Sequence, residues 1–193
     1  MDGPLADTYE AASGFFVQAT QAVPDTAWGS VGLGKWTVLD LVGHGNRAHT
    51  LVEEYLLSPQ PPVGPGSDYF SEARINERAR EAVSALGDDP KGSVVSTAAR
   101  VIALVRSTPA DATLGSPAMT TTLAGYLPSR IAELTIHGLD LSRALGTEIA
   151  APQPALLESL RFVAVPLVKQ GKGELALLAL SGRVPLPPGF SAY

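Results

Sequence analysis

Apolar residues recur three or four positions apart along most of the chain, and proline or glycine separates the segments that show this spacing. Such spacing predicts amphipathic helices, because it places the apolar side chains on one face. Six segments follow the pattern: residues 5–23, 37–57, 68–86, 93–107, 154–166 and 175–180. Pro166 is expected to end or kink the fifth segment. Since no segment alternates strongly enough to build a sheet, we predict an all-α fold, an antiparallel four-helix bundle with additional short helices.

A further helix is predicted over residues 128–146, and it carries most of the candidate chemistry. Pro128 suits the first turn of a helix, and Gly146 suits the left-handed position just past its end. Four polar residues lie between them: Arg130, Glu133, His137 and Asp140. Their spacing of i, i+3, i+7 and i+10 places them along one stripe of the helix. Because the surrounding residues are apolar and predict a buried helix, this stripe needs polar partners.

A metal ion is one explanation of the stripe. Glu133 and His137 are four residues apart, which places their Cβ atoms about 6 Å from each other on one face. A carboxylate and an imidazole at that separation can meet one cation at bond lengths of about 2.0–2.2 Å. His44, in the predicted helix 37–57, is expected to face the interior and to be the third ligand. His49 is about 140° further round that helix and is expected to face elsewhere.

The same residues also allow an explanation without a metal. A salt bridge between two helices would satisfy Glu133 and His137, and a histidine bonded to a carbonyl would satisfy His44. The spacing alone leaves both interpretations open.

Length and composition limit the classes of function. The 193 residues predict one domain, 1–193, with a substantial core. The formal net charge of −5 argues against nucleic acid as a partner. No apolar run is long enough for a membrane span, and the first residues do not resemble a signal peptide, so we expect a cytoplasmic protein.

Cysteine is absent from the chain. This excludes disulfides, thiolate-rich metal sites and a cysteine nucleophile. A metal would therefore be held by nitrogen and oxygen atoms. Any thiol chemistry would require a thiol supplied as a separate small molecule.

Two segments together resemble a known family. Residues 36–44 (WTVLDLVGH) and residues 130–141 (RIAELTIHGLDL) resemble the DinB-like helical-bundle superfamily, in particular the branch of mycothiol-dependent maleylpyruvate isomerase. Residues 177–185 (LLALSGRVP) resemble the end of its single-domain members. The resemblance implies a four-helix bundle and a divalent metal, usually zinc, with nickel or iron as other possibilities. It assigns the ligand positions to His44, Glu133 and His137.

The sequence departs from this family at two points. Many relatives have leucine after the first histidine, where this chain has Gly45. Full isomerases carry a second, C-terminal domain that contributes to the active site, and the residues after 146 leave no room for it. The metal site is therefore a firmer expectation than any particular substrate.

The family includes metal-dependent thiol transferases and isomerases, and the implied ligand set suits such chemistry. Two histidines and one carboxylate leave a position open, and a zinc ion there would lower the pKa of a thiol or of water. Arg130 can either hold Glu133 or anchor a substrate carboxylate, and Asp140 can either orient a ligand or pair with a nearby arginine, Arg143 or Arg47. Both are candidate catalytic residues.

Three functions are compatible with these expectations. The first is an enzyme that activates a low-molecular-weight thiol, such as mycothiol, for transfer to a small electrophile or for its isomerisation. The second is a metal-binding bundle with a structural, sensing or binding role. The third is a non-haem iron enzyme, which uses the same ligand set. The expected partners are a small thiol and a small electrophilic substrate, and a homodimer is left open.

Overall fold

A computed structural model describes residues 1–64 and 67–192 of the chain. Seven α-helices lie within these residues: α1 (Pro4–Gln21), α2 (Val38–Leu57), α3 (Glu72–Ser84), α4 (Pro90–Ser107), α5 (Leu123–Leu145), α6 (Gln153–Lys169) and α7 (Gly173–Leu180). A single turn of 3-10 helix, Asp68–Phe70, precedes α3. Four short strands complete the description: β1 (Val31–Leu33), β2 (Trp36–Thr37), β3 (Thr113–Gly115) and β4 (Thr120–Thr122).

Four helices form the bundle. α5 packs against α1 and α2, and α4 packs against the same two helices, so that α1 and α2 lie diagonally across the bundle. All four helices contribute fully buried side chains to the centre, among them Tyr9, Phe16, Leu41, Val94, Val101, Leu127, Ile131 and Leu134. The remaining helices lie outside, with α3 against α2, α6 against α5 and α1, and α7 against α6. The predicted all-α four-helix bundle with additional short helices is confirmed.

The strands form two small antiparallel sheets, β1 with β2 and β3 with β4. β2 leads directly into α2 through a capping box. Thr37 Oγ1 accepts a hydrogen bond from the Asp40 backbone N–H at 3.1 Å, and Asp40 Oδ2 accepts one from the Thr37 N–H at 2.9 Å. The cap fixes the start of α2 and leaves Trp36 just outside its first turn.

The start of α5 differs from the prediction. The helix begins at Leu123 rather than at Pro128, because Thr122 Oγ1 caps it by accepting from the Gly125 N–H at 3.1 Å. Pro128 therefore lies inside the helix. Proline keeps a helical φ but removes one backbone hydrogen bond, a loss of about 3 kcal/mol that the packing of α5 has to offset. The predicted end is confirmed, since Gly146 adopts the left-handed conformation with φ 64°.

Pro166 does not end its helix either, since α6 continues to Lys169. The predicted helix 68–86 is divided by Ser71 into the 3-10 turn and α3. Within the described residues, none of the helices combines the length and the apolar character that crossing a membrane requires.

Candidate metal centre

The predicted ligands meet where α2 packs against α5. His44 comes from α2, and Glu133 and His137 come from consecutive turns of α5. The Nε2 atom of His137 lies 3.1 Å from Glu133 Oε2, and the Nε2 atom of His44 lies 3.9 Å from the same oxygen. One donor atom from each residue lies within 4.8 Å of the other two. The fold therefore brings together the three residues that the sequence proposed.

This arrangement fits a divalent metal. Ligand atoms bound about 2.1 Å from a tetrahedral ion lie roughly 3.4 Å from each other, which is between the two distances to the Glu133 oxygen. Two imidazoles and one carboxylate form a nitrogen and oxygen donor set that suits zinc, and also iron or nickel. All three residues are partly exposed, so a fourth position is open to a small molecule. The site can hold a metal, and its donor set does not select one ion.

Asp140 orients His137. Its Oδ2 atom lies 3.2 Å from His137 Nδ1, one turn further along α5. A proton held on Nδ1 by this carboxylate directs the Nε2 atom toward Glu133, where its lone pair becomes available to a metal once Nε2 loses its own proton. In the described part of the chain, Asp140 makes no ion pair with Arg47 or Arg143, so the orienting role is the one that the geometry supports.

The site holds unequal charges on its two histidines. Burial lowers the pKa of His137, but the hydrogen bonds with Asp140 and Glu133 outweigh it and raise that pKa to about 9. Burial and the charge on His137 lower the pKa of His44 to about 4, against the opposing effect of Glu133. At neutral pH and without a metal, His44 is neutral and His137 carries a proton that a metal must displace.

Glu133 is ionised in this setting. Burial by itself raises the pKa of its carboxyl group. The hydrogen bond from His137 and the positive charge of Arg130 together outweigh burial, so the pKa falls below its ordinary value. The site therefore contains a carboxylate ready to bind a cation.

An aromatic ring supports His44 from outside the bundle. The Trp36 ring lies over His44 with 4.6 Å between ring centroids, and the His137 ring meets His44 edge-on at 5.0 Å. The side chain of His44 remains 32% exposed, so the expectation that it faces the interior is only partly correct. It lies at the edge of the bundle, where α2 and α5 are open to solvent.

Each ligand histidine is followed by a glycine, and the structure explains both. A Cβ atom at Gly45 would lie 2.5 Å from the ring of Phe16, and one at Gly138 would overlap the ring of Phe15. These two phenylalanines of α1 therefore pack directly onto the backbones of α2 and α5, one residue past His44 and His137. The repeated His-Gly pair was the sequence signal for this packing, which the prediction missed.

Arg130 lies beside the site and lines a cavity of about 330 Å³. Its Nε donates to Ser129 Oγ at 3.1 Å, and its guanidinium lies 4.9 Å from the centre of the Tyr126 ring. Among the described residues it makes no ion pair with Glu133. We call this space the tyrosine cavity; its lining includes Tyr55, Tyr69, Tyr126, Met119 and Phe162. The three tyrosines lie on separate segments, so sequence spacing did not indicate them.

His49 lies outside the site, as predicted. It is fully buried, with Ser13 Oγ 3.2 Å from its Nε2 and Asn46 Oδ1 3.1 Å from its Nδ1. Both ring nitrogens therefore have partners within the core.

A comparison with protein families agrees with this geometry. The model of the mycothiol maleylpyruvate isomerase N-terminal domain matches residues 9–142, a range that contains His44, Glu133 and His137. The chain belongs to this family. The family model thus covers α1 to α5, the helices that build the bundle and the site, and it confirms the relationship inferred from residues 36–44 and 130–141.

One solved structure is also similar. It is the structure of YfiT from Bacillus subtilis, which is described as "a probable metal-dependent hydrolase with an unusual four-helix bundle topology". The two share 20% identity over 75% of this chain and 87% of that one, with a TM-score of 0.46. No curated protein matches the chain significantly.

Proposed function

We propose that the chain is a metal-dependent enzyme that activates a low-molecular-weight thiol, of the mycothiol type, for addition to a small electrophilic substrate. The addition would lead either to transfer of the thiol or to isomerisation of the substrate. The observation that carries the proposal is the convergence of His44, Glu133 and His137 at a partly exposed position beside the tyrosine cavity. Family membership supports it, because the matched model describes a mycothiol-dependent isomerase domain.

His44, Glu133 and His137 would hold the metal, with zinc as the proposed ion. When bound, a divalent cation of this kind supplies Lewis acidity, which favours the thiolate form of a small thiol at neutral pH. Asp140 keeps His137 in the required tautomer and orientation. The absence of cysteine from the chain is the reason that the thiol must come from outside. The proposal also places the protein in the cytoplasm, where small thiols are kept reduced.

Arg130 would anchor the substrate. Arg130 lies on the same stripe of α5 as Glu133 and His137, and its guanidinium lies over Tyr126 one turn earlier. Among the described residues its terminal nitrogens make no hydrogen bond, so they can bind an anion. A carboxylate held there would place the rest of a small molecule between the tyrosine cavity and the three ligands. The electrophilic carbon would then lie beside the thiol, which is the proximity that an addition needs.

Calorimetry can test the thiol. Protein loaded to full occupancy with zinc or cobalt should bind mycothiol and release a proton, whereas the metal-free protein should not. With cobalt, the visible spectrum should change when the thiol is added. Full metal occupancy without thiol binding would contradict the proposal and favour a structural or sensing metal. Oxygen consumption with Fe(II) would instead favour a non-haem iron enzyme.

Arg130 has its own test, which separates the substrate from the thiol. Arg130→Gln should keep metal and thiol binding but raise the KM for a carboxylate substrate. Arg143→Gln is the matched control, because Arg143 is an exposed arginine of the same helix and lies outside the cavity. An equal effect of both variants would show that general charge, not anchoring, is responsible.

A further inference from the structure

The outer surface of α6 and α7 is apolar. Four residues of α6 form an outward stripe at i, i+4, i+7 and i+8: Leu160, Ala164, Leu167 and Val168. The buried residues of this helix, Ala155 and Ser159, lie on its other side, toward α5. Residues of α7 continue the stripe, and the two helices line an open groove of about 420 Å³ together with Leu186 and Phe190 of the segment that follows α7. We call this surface the outer face.

The side chains of the outer face are exposed to an unusual degree. Leu177 is 70% exposed and Leu180 is 77% exposed, and no residue of α7 is buried. Leu157, Leu160, Val168 and Leu186 are each between 49% and 66% exposed. Together these six leave on the order of 600 Å² of largely apolar surface in water, at the upper end of the range for the largest patch of a typical monomer.

Helix α7 has little cover within the described part of the chain. It has eight residues, and isolated helices of fewer than about 12 residues are marginal in water. Among the described helices it packs chiefly against α6, which covers only one of its sides. A short helix that is apolar and exposed gains its remaining stability by burying the exposed side.

We infer that the outer face pairs two copies of this chain in solution. The exposed apolar area supplies the larger part of the roughly 800 Å² that each partner of a standard interface buries. Every residue lining the groove is apolar or glycine, which is typical of permanent homodimers, whereas transient interfaces are as polar as ordinary surface. A two-fold interface places the same patch on both partners, and an apolar groove with no charges is complementary to itself.

Sedimentation and light scattering test the dimer. The wild-type chain, of 20.0 kDa, should have twice that mass at micromolar concentration. Leu177→Glu/Leu180→Glu should be monomeric, because each dimer would bury four unpaired carboxylates. Leu57→Glu is the matched control, since Leu57 is 65% exposed at the end of α2, and it should remain dimeric. Far-UV circular dichroism should show that the bundle stays folded in all three proteins, with any loss of helix in the double variant limited to the eight residues of α7.

A cross-link provides a second measurement that does not depend on disruption. Since the chain has no cysteine, Leu177→Cys introduces a single thiol, and a short bifunctional reagent should join two copies. Leu57→Cys should give no such product. A wild-type monomer at high micromolar concentration would overturn the inference and leave the face to another protein or to a further segment. A dimer that persists in Leu177→Glu/Leu180→Glu would overturn it as well.

Discussion

Two histidines of α2 lie five residues apart in very different surroundings. His44 is partly exposed and faces two residues of α5, Glu133 and His137. His49 is fully buried, and its ring nitrogens face the neutral partners Ser13 and Asn46. Burial lowers the pKa of both rings, to about 4 for His44 and about 3 for His49, so both are neutral near pH 7.

The difference lies in what each ring nitrogen can do. Both nitrogens of His49 are occupied by hydrogen bonds, and among the described residues it belongs to no cluster of groups that could hold a metal ion. The Nε2 atom of His44 faces an ionised carboxylate beside solvent. Two features thus distinguish a candidate metal ligand from a core histidine: a carboxylate that faces the same point, and access from solvent. Neither feature can be seen in the sequence pattern of α2 alone.

The largest expected effect is on metal affinity. His44→Ala or His137→Ala should weaken zinc binding by orders of magnitude, because each removes one of three protein ligands. His49→Gln should leave the affinity unchanged, because its ring faces α1. Competition with a chromophoric chelator measures all three. If His49→Gln lost the metal while His44→Ala kept it, the comparison of the two histidines would be wrong.

Metal removal should lower stability next. A ligand that binds only the folded state at a thousandfold excess over its Kd adds about 4 kcal/mol. For a chain of this size, that corresponds to a fall in Tm on the order of 10 °C after chelation. Scanning calorimetry before and after removal measures it. His137→Ala serves as the control, since its Tm should not respond to the chelator.

The buried histidine should make the protein sensitive to acid. The folded pKa of His49, about 3, lies below the ordinary value of 6.5. Between these pH values His49 binds a proton in the unfolded chain but not in the folded chain. The free energy of unfolding therefore falls as the pH decreases from 6.5 toward 3. One proton corresponds to about 1.4 kcal/mol per pH unit, or roughly 3 kcal/mol over two units.

Urea unfolding of the metal-free protein at several pH values measures this loss. His49→Gln cannot titrate but can still form hydrogen bonds, so its free energy of unfolding should vary less with pH below 6.5. An unchanged pH dependence in this variant would show that another group is responsible, and His44 would be the next to test.

The smallest expected effect concerns the residue that orients His137. Asp140→Asn keeps the shape but removes the charge next to Nδ1. Loss of such a partner typically costs about 10–100-fold in metal affinity. The same variant should lower the pKa of His137 in the metal-free protein, which NMR titration of the ring measures. Asp111→Asn, an exposed change on the loop before α5, should alter neither quantity.

Much of the fold could be predicted because helical order is local. Apolar spacing indicated the helices of the bundle, and the predicted limits at residue 37 and at Gly146 coincide with the caps of α2 and α5. The early start of α5 before Pro128 and the continuation of α6 past Pro166 have one cause. A proline removes a single backbone hydrogen bond, and the packing of α5 and α6 outweighs that loss.

The sequence by itself determined which residues share a helix face. The helical period places Glu133, His137 and Asp140 on one stripe whatever surrounds them, and the lack of cysteine limits the donors to nitrogen and oxygen. These are properties of one segment or of composition, and they require no knowledge of how helices pack.

Only the tertiary structure decided what lies opposite each face. Three features join separate helices and could not be read from one segment. They are the pairing of His44 with Glu133, the packing of Phe15 and Phe16 against Gly138 and Gly45, and the tyrosine cavity beside Arg130. The outward apolar stripe of α6 belongs with them, since its period is the same whether the face is buried or exposed. The physical reason is that periodicity defines a direction on a helix, whereas contact depends on the angle and distance at which two helices pack.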